Sequence, residues 1–265
     1  KGSMKDIDGF VQLEGDFKNQ LIRIEIPELQ INNEFKCNEE GRTKISLTAD
    51  KLELWSPSNP RLYQVNIISQ TDTVYERIGF RSIETSGTEI LLNGKPVFLR
   101  GICIHGENPL RGGRAFSGED AQLLLNWARE LNCNFVRLAH YPHSEHMARL
   151  ADEMGIMVWE EIPVYWTIMW ENPETFDNAR QQLTELIHRD KNRASVVIWS
   201  MANETPVSEA RINFLKRLVL HARSMDNTRL ISAAMEAHGD RSDPDIRIVE
   251  DPFADYVDIV SFNEY

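Results

Sequence analysis

From residue 10 to about residue 86, apolar and polar positions alternate with a period of two, as in Leu21-Ile22-Arg23-Ile24-Glu25-Ile26, Ile45-Ser46-Leu47-Thr48 and Tyr63-Gln64-Val65-Asn66-Ile67. Successive side chains of a strand point to opposite faces, and polar, Gly or Pro turns separate these runs, so the pattern predicts an all-β sandwich. Asn93-Gly94 reads as a hairpin turn between Ile90-Leu91-Leu92 and Val97-Phe98-Leu99. Beyond it the period changes. Leu124, Trp127, Ala128 and Leu131 fall at i, i+3, i+4 and i+7, and Met147, Leu150, Ala151 and Met154 repeat that spacing. Further helical stripes run through Phe176, Ala179, Leu183, Leu186 and Ile187, and through Ile212, Leu215, Val219 and Ala222. Strand-length apolar runs lie between them, at 97–102, 135–138, 157–159, 196–199, 230–233 and 257–261. Six strands alternating with helices require a parallel sheet covered by helices. The pattern therefore divides the chain into a tail or linker over residues 1–9, a β-sandwich over 10–88 and an α/β domain over 89–265.

Doubly wound sheets and (β/α)8 barrels share this rhythm, and the placement of polar residues separates them. Arg137 and His140, Glu160 and Glu161, Asn203 and Glu204, and Asn263 and Tyr265 lie at the carboxyl ends of predicted strands. Chemistry after almost every strand is the mark of a barrel's top face. Gly112-Gly113 fits neither a dinucleotide-binding fingerprint nor a phosphate loop.

Composition acts mainly by exclusion. The 265 residues carry 29 Lys plus Arg against 41 Asp plus Glu, a net charge of −12, which disfavours nucleic acid and anionic membrane surfaces as partners. No window approaches the roughly 20 apolar residues of a membrane span. Cys37, Cys103 and Cys133 are odd in number and unrelated in spacing, supporting neither a disulfide framework nor a cysteine zinc site. The opening Lys1-Gly2-Ser3-Met4-Lys5 reads as a cloning remnant, and the compartment stays open.

The sharpest local feature is Ser195-Val196-Val197-Ile198-Trp199-Ser200-Met201-Ala202-Asn203-Glu204, an apolar strand ending in an amide and a carboxyl. Partial desolvation by Trp199 and Met201 would make Glu204 harder to ionise, as a general acid requires. Asn203 offers a donor and an acceptor to a sugar hydroxyl. On spacing alone a second reading stands beside this one, with Glu204 as a helix N-terminal carboxylate favoured by the macrodipole.

Asn203-Glu204 after such a strand, Phe135-Val136-Arg137-Leu138-Ala139-His140-Tyr141-Pro142 two strands earlier, and Leu92-Asn93-Gly94-Lys95-Pro96-Val97-Phe98-Leu99-Arg100-Gly101 before the first strand together resemble glycoside hydrolase family two. Trp55-Ser56-Pro57-Ser58-Asn59-Pro60-Arg61-Leu62-Tyr63 and Gly79-Phe80-Arg81 resemble the immunoglobulin-like domain preceding its barrel. The resemblance implies a retaining exo-β-glycosidase with Glu204 as general acid/base and Asn203 at the hydroxyl beside the anomeric carbon. Arg137 would orient the nucleophilic carboxylate, His140 and His105 would line the sugar site, and Asn263 and Tyr265 would sit near the nucleophile. Tyr165, Trp166 and Trp170 are candidates for a sugar-stacking rim, with loop packing as the alternative. Of Glu160 and Glu161 only one can face the barrel interior, as a partner of the pocket or an ion-pair member rather than the nucleophile.

The resemblance implies no cofactor. His140, His143 and His146 straddle Pro142 and a helix start, where three side chains rarely converge on a metal. Ile162-Pro163-Val164-Tyr165-Trp166-Thr167 also departs from the metal-binding loop of some β-galactosidases. Glu161-Ile162-Pro163 and Ala202-Asn203-Glu204 look more like β-glucuronidases. In the family the nucleophile follows strand seven, whereas residues 97–265 fall short of the about 250 that a (β/α)8 barrel typically takes. The expectation is a barrel cut after six strands, inactive alone, with Glu264 not a substitute nucleophile and open edge strands inviting self-association. The rival class is a non-catalytic carbohydrate-binding or interaction fragment.

Overall fold

The computed structural model describes residues 5–15, 19–240, 242–243 and 245–264. The expectations placed on Tyr265 and on residues 1–4 lie outside them. The chain divides into two compact units between Arg81 and Ser82.

The first unit holds β1 (Asp6–Gln12), β2 (Leu21–Ile26), β3 (Ile31–Lys36), β4 (Arg42–Thr48), β5 (Tyr63–Ile68) and β6 (Thr73–Ile78). β1 pairs antiparallel with β4, and β3-β2-β5-β6 form a second antiparallel sheet. Alternation does what the sequence pattern requires. Ile7, Ile45 and Leu47 from one sheet meet Ile22, Ile24, Ile26, Tyr63 and Val65 from the other in one core, each large side chain contributing about 1.5–3 kcal/mol of burial. Residues 6–9, expected as linker, are part of β1, because Ile7 alternates into this core and the backbone of β1 pairs with β4.

The second unit opens with β7 (Ile83–Ser86), β8 (Glu89–Leu92) and β9 (Lys95–Pro96), a three-stranded antiparallel sheet. Asn93 and Gly94, at φ of 54° and 73°, make the left-handed turn that Asn-Gly favours. Residues 82–88 belong to this unit rather than to the sandwich, since β7 pairs with β8 along its whole length.

β10 (Gly101–His105), α1 (Gly118–Glu130), β11 (Phe135–Ala139), α2 (Glu145–Met154), β12 (Met157–Glu161), α3 (Pro173–Asp190), β13 (Val196–Asn203), α4 (Glu209–Met225) and β14 (Leu230–Met235) then alternate strand with helix. A short hairpin of β15 (His238–Gly239) and β16 (Arg247–Ile248) precedes β17 (Ile259–Phe262). The sheet order is β10-β11-β12-β13-β14-β17, every pair parallel. Strands that neighbour one another in strict chain order are barrel staves; a doubly wound sheet reverses its order at a switch point. Every residue of β13 and β14 is buried.

Two local expectations shift. The first stave begins at Gly101 rather than Val97, where β10 passes so close to β11 that a Cβ on Gly101 would lie 2.3 Å from the Phe135 carbonyl oxygen. The α1 face is Ala121, Leu124, Leu125 and Ala128, while Trp127 and Leu131 point outward. Ser117 and Asp120 close a reciprocal capping box at its start.

Candidate active site

Parallel staves in register bring their carboxyl ends to one rim, and alternation decides which side chains meet there. Arg137, Trp159 and Glu161 share the inner face of β11 and β12, with the Arg137 guanidinium 5.1 Å from the Trp159 ring. Glu161 is fully buried and accepts from Arg137 Nε and Nη2, each at 3.1 Å, and from Trp159 Nε1 at 2.8 Å. His140 Nδ1 lies 2.7 Å from Glu161 Oε1. Glu160 faces the opposite side, buried beside Arg189 and Asp190. Burial, reinforced by the Asp190 carboxylate, pushes its carboxyl well above the usual range.

Arg137 also fixes two amides. Its Nη2 donates to Asn203 Oδ1 at 2.6 Å and its Nη1 to Asn263 Oδ1 at 2.7 Å. With both carbonyl oxygens committed to the guanidinium, the amide nitrogens turn toward Glu204. Asn263 Nδ2 donates to Glu204 Oε1 at 2.9 Å, and Asn203 Nδ2 lies 3.4 Å from Oε2. One cation thus orders a carboxylate it does not itself touch in any of these bonds.

Glu204 follows β13 directly, half-buried, with a left-handed φ of 48°. That conformation costs a residue with a Cβ about 1–2 kcal/mol, and hydrogen bonds on either side hold it. Asn203 N donates to Val164 O at 2.9 Å, and Glu204 N donates to Ala234 O at 2.8 Å. Glu204 is not the N-terminal carboxylate of the next helix: Ser208 caps α4, and Glu209 occupies its first turn.

The remaining candidates extend the rim. His105, at the end of β10 and exposed, sits edge-on to His140 with ring centroids 5.4 Å apart. Tyr165 lies 6.0 Å from His140 and 5.6 Å from Trp166. Trp166 N donates to Asn203 O, and its indole is 64% exposed, so an open aromatic face stands beside the Asn203-Glu204 turn. Trp170 belongs elsewhere: it packs edge-on against Phe214 beside the core of the second unit, which makes it loop packing rather than rim. Glu264 forms a two-pronged ion pair with Arg247. His143 is buried, donates through Nε2 to Ala139 O, and is pushed down to about 4 chiefly by burial. With His140 directed at Glu161 and His143 at a main-chain carbonyl, these imidazoles do not converge.

Sequence reasoning missed Trp159 as a partner of Glu161, and it missed Arg211. Fully buried in the first turn of α4, Arg211 donates to Thr205 Oγ1 at 2.9 Å and to Asp251 Oδ1 at 2.6 Å. An Arg in a helical stripe reads as a solvated position, and no local signal distinguishes this one.

The arrangement offers a carboxyl poised beside two amides, a positioned cation and an aromatic wall. Residues 83–263 match the family described as Glycosyl hydrolases family 2, TIM barrel domain, and residues 11–81 match Glycosyl hydrolases family 2. The chain is 32% identical over 252 residues to a β-glucuronidase of Streptococcus agalactiae serotype V, covering 85% of this chain and 40% of that protein. It is 33% identical over 246 residues to the β-glucuronidase of Rattus norvegicus, covering 85% of this chain and 35% of that one. Among solved structures, a β-galacturonidase from Eisenbergiella tayi bound to galacturonate superposes with a TM-score of 0.80 at 25% identity, covering 98% of this chain and 50% of that one. The chain spans about 40% or less of the length of these curated relatives.

Proposed function

We propose, because this chain belongs to glycosyl hydrolases family 2, that it carries the acid/base half of the catalytic barrel of a retaining exo-β-glycosidase acting on β-linked glycosides. The observation that carries this reading is the Glu204 carboxylate, half-buried at the end of β13 and bonded to an amide that Arg137 fixes. In retaining chemistry two carboxyls lie about 5–5.5 Å apart. Glu204, protonated, gives its proton to the departing glycosidic oxygen while a second carboxylate bonds to the anomeric carbon. Once that glycosyl bond has formed, the negative charge of the nucleophile is gone, the proton affinity of Glu204 falls, and it takes a proton from the attacking water. Asn203 holds the hydroxyl beside the anomeric carbon, and Arg137 orients the carboxylates and amides. His140, His105 and Trp166 line the sugar, and Asn263 flanks the nucleophile. The chemistry calls for no cofactor.

The sugar is a β-glucuronide, a reading supported by the names of the relatives and by Glu161-Ile162-Pro163. By itself the chain has no turnover. The other carboxylate of the Arg137 cluster, Glu161, is buried and already accepts from Arg137 and Trp159, which leaves it a poor nucleophile.

Leaving-group dependence tests the assignment. Glu204→Ala, placed in a longer polypeptide that contains this sequence and supplies a second carboxylate, slows hydrolysis of alkyl β-glucuronides by about 10²–10⁴-fold, the usual worth of a general acid. Activated aryl substrates suffer far less. Equal losses on both substrate types, or full activity in the variant, would overturn the reading. The isolated chain should release no aryl aglycone above the level of its own Glu204→Gln variant.

A further inference from the structure

We infer that Arg211 is a positioning residue for Glu204, a buried clamp that sets the carboxylate through Thr205 and couples it to the segment delivering Asn263. The inference rests on the acid/base reading of Glu204, and its geometry is independent of sugar identity.

Glu204 sits at a left-handed φ, so the direction of its side chain follows the peptides on either side. Upstream, Asn203 N donates to Val164 O, Trp166 N donates to Asn203 O, and Glu204 N donates to Ala234 O. Downstream the next residue is Thr205, fully buried, whose hydroxyl accepts from Arg211 Nε at 2.9 Å. The other arm of the same guanidinium donates to Asp251 Oδ1 at 2.6 Å. Asp251 Oδ1 accepts as well from Phe253 N at 2.9 Å and so starts the short 3₁₀ helix Pro252–Tyr256 that leads into β17. The guanidinium also lies 5.4 Å from the Phe253 ring. Asn263, just past β17, is the residue whose amide donates to Glu204 Oε1. One cation, with no exposed surface, therefore ties together the turn that carries the carboxyl and the connection that leads to its donor.

A buried ion pair by itself is weak grounds for a stability role, because desolvation offsets much of its attraction. What this one supplies is register. Hydrogen bonds to a carboxylate favour its charged form, so letting the turn drift away from Asn263 strips Glu204 of a donor and raises its proton affinity. Lysine cannot replace Arg211, since a single ammonium does not span two acceptors in a fixed fork.

The test is the titration of the Glu204 carboxyl carbon, followed by NMR in the full chain with selectively labelled glutamate, alongside thermal melting. Thr205→Val removes the hydroxyl and keeps the shape. It should raise the Glu204 midpoint by at least about half a pH unit while the Tm stays within about 5 °C of wild type. Thr205→Ser, which restores the hydroxyl, should return the midpoint to the wild-type value. Arg211→Lys should raise it as Thr205→Val does, and this serves as the deciding variant if Thr205→Val does not fold. A midpoint that stays put or falls in folded Thr205→Val or Arg211→Lys, whatever happens to the Tm, would overturn the clamp and reduce Arg211 to a structural brace. The wild-type midpoint bears on the proton-donor reading, and the difference between variant and wild type bears on the clamp, so the two can fail separately.

Discussion

Glu160 and Glu161 are neighbours in the chain and opposites in environment: one is held by Arg137 and Trp159 inside the sheet, the other is buried against α3. The alternation of a strand alone separates them. Elsewhere in the same unit burial acts on groups of either charge by disfavouring the charged form. Burial raises Asp152 to about 6 and lowers His143 to about 4. Between about pH 4 and 6 the folded chain keeps a proton on Asp152 that the unfolded chain has released, so this group's contribution to stability falls as pH rises. Between about pH 4 and 6.5 the unfolded chain protonates His143 while the folded chain does not, so that contribution rises with pH. Asp152→Asn should therefore gain stability relative to wild type on going from pH 4 to 7. His143→Gln should lose it over the same range, each by on the order of 3 kcal/mol. Urea denaturation across pH 4–7 checks both, and parallel curves for variant and wild type would contradict the assignment.

The strands and helices were largely legible, because burial of one face imposes a period. β2, β4 and β5 follow alternation, and α2, α3 and α4 follow helical spacing. What the pattern misplaced were ends and faces. The run at 97–102 is apolar enough for a strand, yet pairing begins only at Gly101, where β10 comes close to β11. Trp127 and Leu131 keep the helical spacing of α1 but lie outside its packed face, since spacing gives an angle around the axis and not which angle meets the sheet. Gly101→Ala puts a methyl group into the Phe135 main-chain carbonyl, which cannot move without parting the two staves. A loss of about 1–3 kcal/mol or more, typical of forced overpacking, is the expected result in chemical denaturation, and an unchanged midpoint would show that the staves can separate freely.

The six parallel strands leave β10 and β17 at the ends of the order among the described residues. On β17, Val260 is 50% and Phe262 39% exposed. An edge that offers unpaired backbone beside apolar side chains recruits further strands, so we propose that the isolated chain self-associates with a second copy, despite the repulsion of a net charge of −12. Val260→Lys should shift the chain toward monomer in size-exclusion chromatography over a dilution series, whereas an elution volume independent of both concentration and substitution would contradict the proposal. No helix of the described residues is long and apolar enough to cross a membrane. The two-part organisation and the alternation of staves with helices were legible from local pattern, because the period of apolar positions is a property of neighbouring residues. Which of two adjacent glutamates meets Arg137, the inward packing of Trp170 beside an open Trp166, and the reach of Arg211 to both Thr205 and Asp251 come from packing between distant elements. Those choices depend on which elements lie across from one another, and residues 40 or more positions apart, such as Arg211 and Asp251, leave no joint signature in the local pattern.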